Sequence, residues 1–280
     1  MNETLHESLR DYARAAAGGL VIGMPLLFTM EVWFHAFLLP WWKILALLLV
    51  AFLLVLGYNS IAGFRRERTV VELILDSVAT VGLGIIISFA ALLVLGQIEV
   101  GTSLRDAAGK VALESIPVAF GASVASTQLS GEPLGNSHRA PHAFERMLVG
   151  AGGALLFALN IAPTEEVVLL GVGASPIQLL GVVGATLLVT LVLVHYADFG
   201  GPRRKPRSRK SILDAPIPET MTGYAVSLLV SLLLLWAFGW SDGASIGAIM
   251  SMAVNLGAVA AVGAAVARLL VIGGHEAGAD

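Results

Sequence analysis

Apolar residues run through this chain in long blocks, not at the three-to-four spacing of a half-buried soluble helix. The blocks cover residues 16–38, 44–63, 70–95, 147–171, 176–197, 221–238 and 243–272. A helix needs about 20 mostly apolar residues to cross the hydrocarbon core, so each block predicts a transmembrane helix. An eighth segment, 110–129, is weaker, because Glu114, Pro117, Gln128 and several serines interrupt it. The pattern predicts an all-α, polytopic membrane helix bundle.

Composition narrows the class. Of 280 residues, 56% are hydrophobic and 13% charged, where a soluble domain carries about 25% charge. Mean hydropathy is +0.83. An ordinary soluble enzyme, a nucleic-acid binder and a disordered chain are excluded. With no cysteine, so are disulfides, thiolate zinc sites and a cysteine nucleophile.

The net charge of −3 conceals a segregation of sign. Basic residues stay on the cytoplasmic side. With the N-terminus inside and eight crossings, the inner segments hold Arg10, Arg14, Arg65, Arg66, Arg68, Arg139, Arg146, the six basic residues of 203–210, and Arg268. Only Lys43, Arg105 and Lys110 remain outside, a split of 14 to 3 among 17. Without a crossing at 110–129, the two largest basic clusters would fall on opposite faces. The expectation is therefore eight transmembrane helices, N-in and C-in, in a bacterial inner membrane. Acidic residues precede the first apolar block, which is too long for a cleavable signal, so that span is expected to persist. Trp41, Trp42, Trp236 and Trp240 are placed as headgroup-level anchors. The basic, Pro-rich loop 198–220 reads as a linker held near anionic lipid.

The halves look alike. Arg14 and Arg146 precede the first span of each, and Gly18-Gly19 and Gly152-Gly153 follow. Pro25 with Glu31 parallels Pro163 with Glu165 and Glu166. Tyr58 through Arg66 matches Tyr196 through Arg204 at Tyr, Gly and both Arg, and Ala112-Leu-Glu114 resembles Ala253-Val-Asn255. This predicts two four-helix pseudo-repeats, 1–140 and 141–280. An even number of crossings per repeat gives both copies the same orientation, related by an axis along the membrane normal.

Ionisable residues at membrane depth are costly and usually face a protein interior or water. Glu31 lies in the outer part of span one, with His35 one turn on. Glu165 and Glu166 follow Asn160 and Pro163 in span five, and a mid-span proline frees a carbonyl. Glu114 precedes Pro117 in span four, and Asn255 lies in span eight. Glu31, Glu114, Glu165, Glu166, Asn160 and Asn255 are thus candidates for one cation- or proton-binding site, with Glu31 and Glu166 as metal ligands. Oxygen donors suit a hard divalent cation such as calcium, and crowded carboxylates can instead share protons. In span three, Glu72, Asp76, Thr80, Gly84 and Ser88 recur every four residues. Glu72, Asp76 and Thr80 read either as an inner vestibule or as partners of Arg65–Arg68. The sequence carries no Walker loop, HExxH or GxSxG, and His138 and His142 lie in a loop. No enzyme activity is expected, nor any cofactor beyond that cation.

The stretch from Pro141-His-Ala-Phe-Glu-Arg146 through Ala158-Leu-Asn-Ile-Ala-Pro-Thr-Glu-Glu-Val167 resembles a bacterial family of integral membrane proteins without an assigned activity. The resemblance implies about seven spans and a small partner membrane protein encoded beside it. It supplies no site residues. Besides the lipid bilayer, partners could then be that small protein or a second copy of the chain. Two functions follow: a cation channel or transporter using the intramembrane carboxylates, or a non-transporting subunit or sensor that docks a partner at 203–210.

Overall fold

The computed structural model describes residues 2–62, 69–128, 143–196 and 216–273. Among these residues all regular structure is helical. Arg65–Arg68, His138, His142 and the basic run 203–210 lie outside the described residues. The chain divides into two compact units, Met1–Gly135 and Asn136–Asp280.

The first unit holds α1 (Asn2–Leu27), α2 (Met30–Leu38), α3 (Trp41–Ala62), α4 (Val70–Val94) and α5 (Leu104–Gln128). α1 and α2 form a single apolar stretch broken by an 81° bend. At the break, the Thr29 hydroxyl donates to the Pro25 carbonyl at 2.6 Å. α5 is the central element and packs on α1, α2, α3 and α4. The second unit holds α6 (Ala143–Leu159), α7 (Glu166–Gly173), α8 (Pro176–Tyr196), α9 (Pro216–Ala237) and α10 (Ile246–Gly273). Its first apolar stretch is also interrupted, between α6 and α7. α10 is its central element and packs on α6, α7, α8 and α9.

The burial pattern is that of a protein solvated by lipid. α4 buries Ser77, Gly84, Ser88 and Leu92, and exposes Ile74, Leu75, Val78, Ile85, Ile86, Phe89, Leu93 and Val94. α8 buries Thr186 and Thr190 while Leu180, Leu188 and Val192 face outward. Both threonine hydroxyls return to their own helix, at Val182 O and Thr186 O. In a bilayer, helices gain nothing by hiding leucine from lipid, and they associate through small side chains. The helix crossings show it. A Cβ on Gly19 would lie 2.8 Å from the Val118 carbonyl, so α1 meets α5 backbone to backbone. In the second unit a Cβ on Gly153 would strike the Gly263 carbonyl, which sets the same closeness for α6 and α10.

Five helices are long and apolar enough to cross a membrane, and the bent α1–α2 pair makes up to six. α5 and α6 fall short for different reasons. α5 carries Arg105, Asp106, Lys110 and Glu114. Its middle is also wrapped by protein, with Leu113 through Ala125 almost wholly buried, so lipid does not require it to be apolar. α6 has only 17 residues before its break.

Candidate functional site

Glu114 lies in the middle of α5, three residues before Pro117. Its relative exposure is 0%, and neither carboxyl oxygen has a hydrogen-bond partner. Trp33 of α2 turns its indole N–H toward it, yet Nε1 completes no hydrogen bond. Trp33 also belongs to the wall of a cleft of about 460 Å³, with Met30, Phe34, Phe37, Gln97, Asp106 and Lys110. At its polar edge, the Lys110 ammonium donates to Asp106 at 3.0 Å and to the Gln97 carbonyl at 3.1 Å. The close fit of α2 on α5 comes from Gly109, where a Cβ would stand 2.5 Å from the Ala36 carbonyl. The arrangement is an open amphipathic cleft, an aromatic partition, and a sequestered carboxyl behind it.

A second polar group lies toward the C-terminal end of α5. The Ser123 hydroxyl donates to Asn59 Oδ1 at 2.6 Å. Asn59 Nδ2 donates to Ser77 Oγ at 3.2 Å, and Ser77 donates to the Leu73 carbonyl at 2.8 Å. All three side chains are buried and tie α5, α3 and α4 together.

In the second unit Arg268 reaches from α10 to the Arg146 carbonyl at 3.3 Å and the Glu219 carbonyl at 3.4 Å. The Glu219 carboxylate stands 3.6 Å from Arg146 and 3.7 Å from Arg268.

The membrane-like burial and buried ionisable groups agree with what the sequence matches. A family model for integral membrane proteins covers residues 11–271. The chain belongs to the DUF2391 family. It is an integral membrane protein, embedded in a lipid bilayer and crossing it more than once. No curated protein and no solved structure matches it.

The other candidate residues of this DUF2391 protein are distributed over both units. Glu31 sits half-buried in the first turn of α2, and His35 Nδ1 donates to its backbone carbonyl at 2.8 Å. Glu165 and Glu166 stand exposed at the start of α7. Asn160 donates to the Leu156 carbonyl at 2.7 Å, while its Oδ1 is buried without a partner. Asn255 donates to the Ser251 carbonyl at 2.9 Å and lines a cleft of about 610 Å³ beside Leu170 and Gln178. Among the described residues no three His, Cys, Asp or Glu side chains are grouped to hold a metal ion. Glu72 closes a capping box with Thr69 at the start of α4, and the Thr80 hydroxyl donates to the Asp76 carbonyl at 2.8 Å.

Several groups of the site carry no signal in the sequence. Trp33 and Asn59 lie in apolar text, and their partners are far away in sequence. Trp240, placed as a headgroup anchor, donates through Nε1 to the Ala162 carbonyl at 2.7 Å. That carbonyl is in the break before Pro163, so this ring serves the interrupted helix.

Proposed function

We propose that this protein moves protons across the membrane, and that Glu114 is the group that takes up and releases the proton. The buried, unpartnered carboxyl carries this reading. A neutral acid left without a hydrogen bond costs about 1–3 kcal/mol. An ionised carboxylate in the same place costs several kcal/mol more, so the occupied, neutral acid is the stable form here. Such expense is usually borne for function. The cleft in front of Trp33, with Gln97, Asp106 and Lys110 at its polar edge, supplies access from one side. A divalent cation needs several oxygen ligands, and the described residues do not group enough acids for one, which favours the proton over calcium.

The architecture we infer is two parallel four-span repeats, 1–140 and 141–280, making eight crossings with both ends in the cytoplasm of a bacterial cell. Three observations support it. Each unit opens with an interrupted helix, and each closes with its central helix. In both, the first and last helices cross at glycine. Where the first unit has Glu114, the matching text of the second has Asn255, whose amide is hydrogen-bonded. Proton exchange then belongs to the first unit alone.

The test is proton flux into proteoliposomes driven by a potassium diffusion potential and read with an internal pH dye. The wild type should acidify the lumen, and Glu114→Gln should reduce the rate by about tenfold or more, the effect of some 1.4 kcal/mol on the barrier. Equal flux in the two, or none in either, overturns the reading.

A further inference from the structure

Glu114 needs a way to the opposite side from the cleft, and the seam between α4 and α5 has the features of one. A Cβ on Gly84 would lie 2.8 Å from the Ala119 Cβ and 2.9 Å from its backbone nitrogen. This contact fixes the register of two consecutive, antiparallel helices. Four residues along α4 and four back along α5 bring Ser88 level with Ser115, beside Glu114. Four residues the other way bring Thr80 level with Ser123. Ser88 and Ser115 are both fully buried, and Ser88 Oγ has no hydrogen-bond partner. The seam therefore has one polar layer at Ser88 and Ser115, one residue along α5 from Glu114, a close-packed layer at Gly84–Ala119, and a second polar layer at Ser123, Asn59 and Ser77.

We propose that this seam is the inner half of the proton path and that the Gly84–Ala119 contact is its closed gate. The proposal rests on Glu114 being the proton carrier. When the helices part at the gate, the O–H bond of Glu114 breaks and a new one forms on a water oxygen beside Ser88 and Ser115. The carboxylate left behind is neutralised by a proton arriving past Trp33. The released proton travels from the Ser115 level to Ser123, eight residues or about 12 Å at helical rise, along water held by these hydroxyls. Asn59 carries no proton itself. Its amide accepts from Ser123 and donates to Ser77, which fixes both hydroxyls in one direction. With Trp33 shut on one side and Gly84 packed on the other, the carboxyl is occluded.

The same proteoliposomes test it, with the infrared carbonyl stretch of a buried carboxylic acid as a second readout. That band, assigned by its loss in Glu114→Gln, shows whether a variant still holds the protonated acid. Asn59→Leu and Ser123→Ala should keep the band and lower proton flux about tenfold. Ser60→Ala should change neither, since its hydroxyl only returns to the Gly57 carbonyl. Gly84→Ala wedges the gate and should raise the passive proton leak severalfold. Normal flux in both Asn59→Leu and Ser123→Ala, with flux still lost in Glu114→Gln, overturns the path and leaves Glu114 as carrier. An unchanged leak in a folded Gly84→Ala protein overturns the gate. Undiminished flux in Glu114→Gln removes the carrier and the path together.

Discussion

Glu219 is one carboxylate serving two arginines, and its removal should be felt well beyond its size. Arg146 and Arg268 are 9% and 6% exposed, and Arg268 has no other charged partner among the described residues. Taking away one partner of a buried ion pair costs about 3–5 kcal/mol, because the remaining charge is left without compensation. The Glu219 side chain is 21% exposed and its contacts are long, so the lower end of that range applies. Glu219→Gln should lower the midpoint of thermal unfolding in detergent clearly. Arg268→Met should cost less, since it removes a charge instead of stranding one. An equal or reversed order would show that Glu219 is not what compensates the Arg268 charge. The sequence marked Arg268 only as a charge for orientation. Its two hydrogen bonds reach residues far away in the chain, and no local pattern reveals such a partner. Glu114 was visible because a carboxylate at membrane depth is conspicuous by itself. Trp33 was not, because an indole in apolar text is ordinary until its unbonded nitrogen is seen against an acid.

At the level of helices, glycine has two different meanings, and substitutions should separate them. At Gly153 a Cβ would collide with the Gly263 carbonyl and Ala267. Neither can retreat without moving α6 from α10, so Gly153→Ala should destabilise by about 1–3 kcal/mol, the usual cost of overpacking. At Gly82, in the interior of α4, nothing lies within 4 Å. Gly82→Ala should stabilise by about 0.5–1 kcal/mol, because alanine restricts the unfolded chain and favours helix. Thermal unfolding of the two variants checks both signs. The glycine pairs Gly18-Gly19 and Gly152-Gly153 stood out in the sequence as matching positions, but which of them touches a neighbour did not. Helix breaks show the same division. Pro163 pointed to a freed carbonyl, yet residues 16–38 and 147–171 each read as one continuous span, and the 81° bend and the Trp240 bond to the Ala162 carbonyl depend on packing that local text does not record.

For the whole molecule, the number of crossings turns on α5. Hydropathy measures how much of a helix lipid would solvate. α5 is shielded by α1, α3 and α4, so its serines, Glu114 and Pro117 depress the hydropathy of a helix that meets little lipid. Its 25 residues span about 38 Å at helical rise, more than the roughly 30 Å hydrocarbon core. The antiparallel pairing of α4 with α5 likewise calls for a second crossing, because α4 is itself long and apolar enough to span. The chain has no native cysteine, so single introduced cysteines can report sidedness through a membrane-impermeant maleimide. Val100→Cys, at an exposed position in the turn between α4 and α5, should label from outside intact cells. Ser137→Cys, beyond the end of α5, and Ser208→Cys, within the basic run, should label only after the membrane is opened. If α5 did not cross, Ser137→Cys would label with Val100→Cys. The basic residues of 203–210 would then leave the side that holds Arg65–Arg68, against the charge asymmetry that orients membrane proteins. External labelling at position 137 would therefore remove the eight-crossing arrangement. It would also place both ends of α5 on one face, where the seam beneath Glu114 could not carry a proton to the other side.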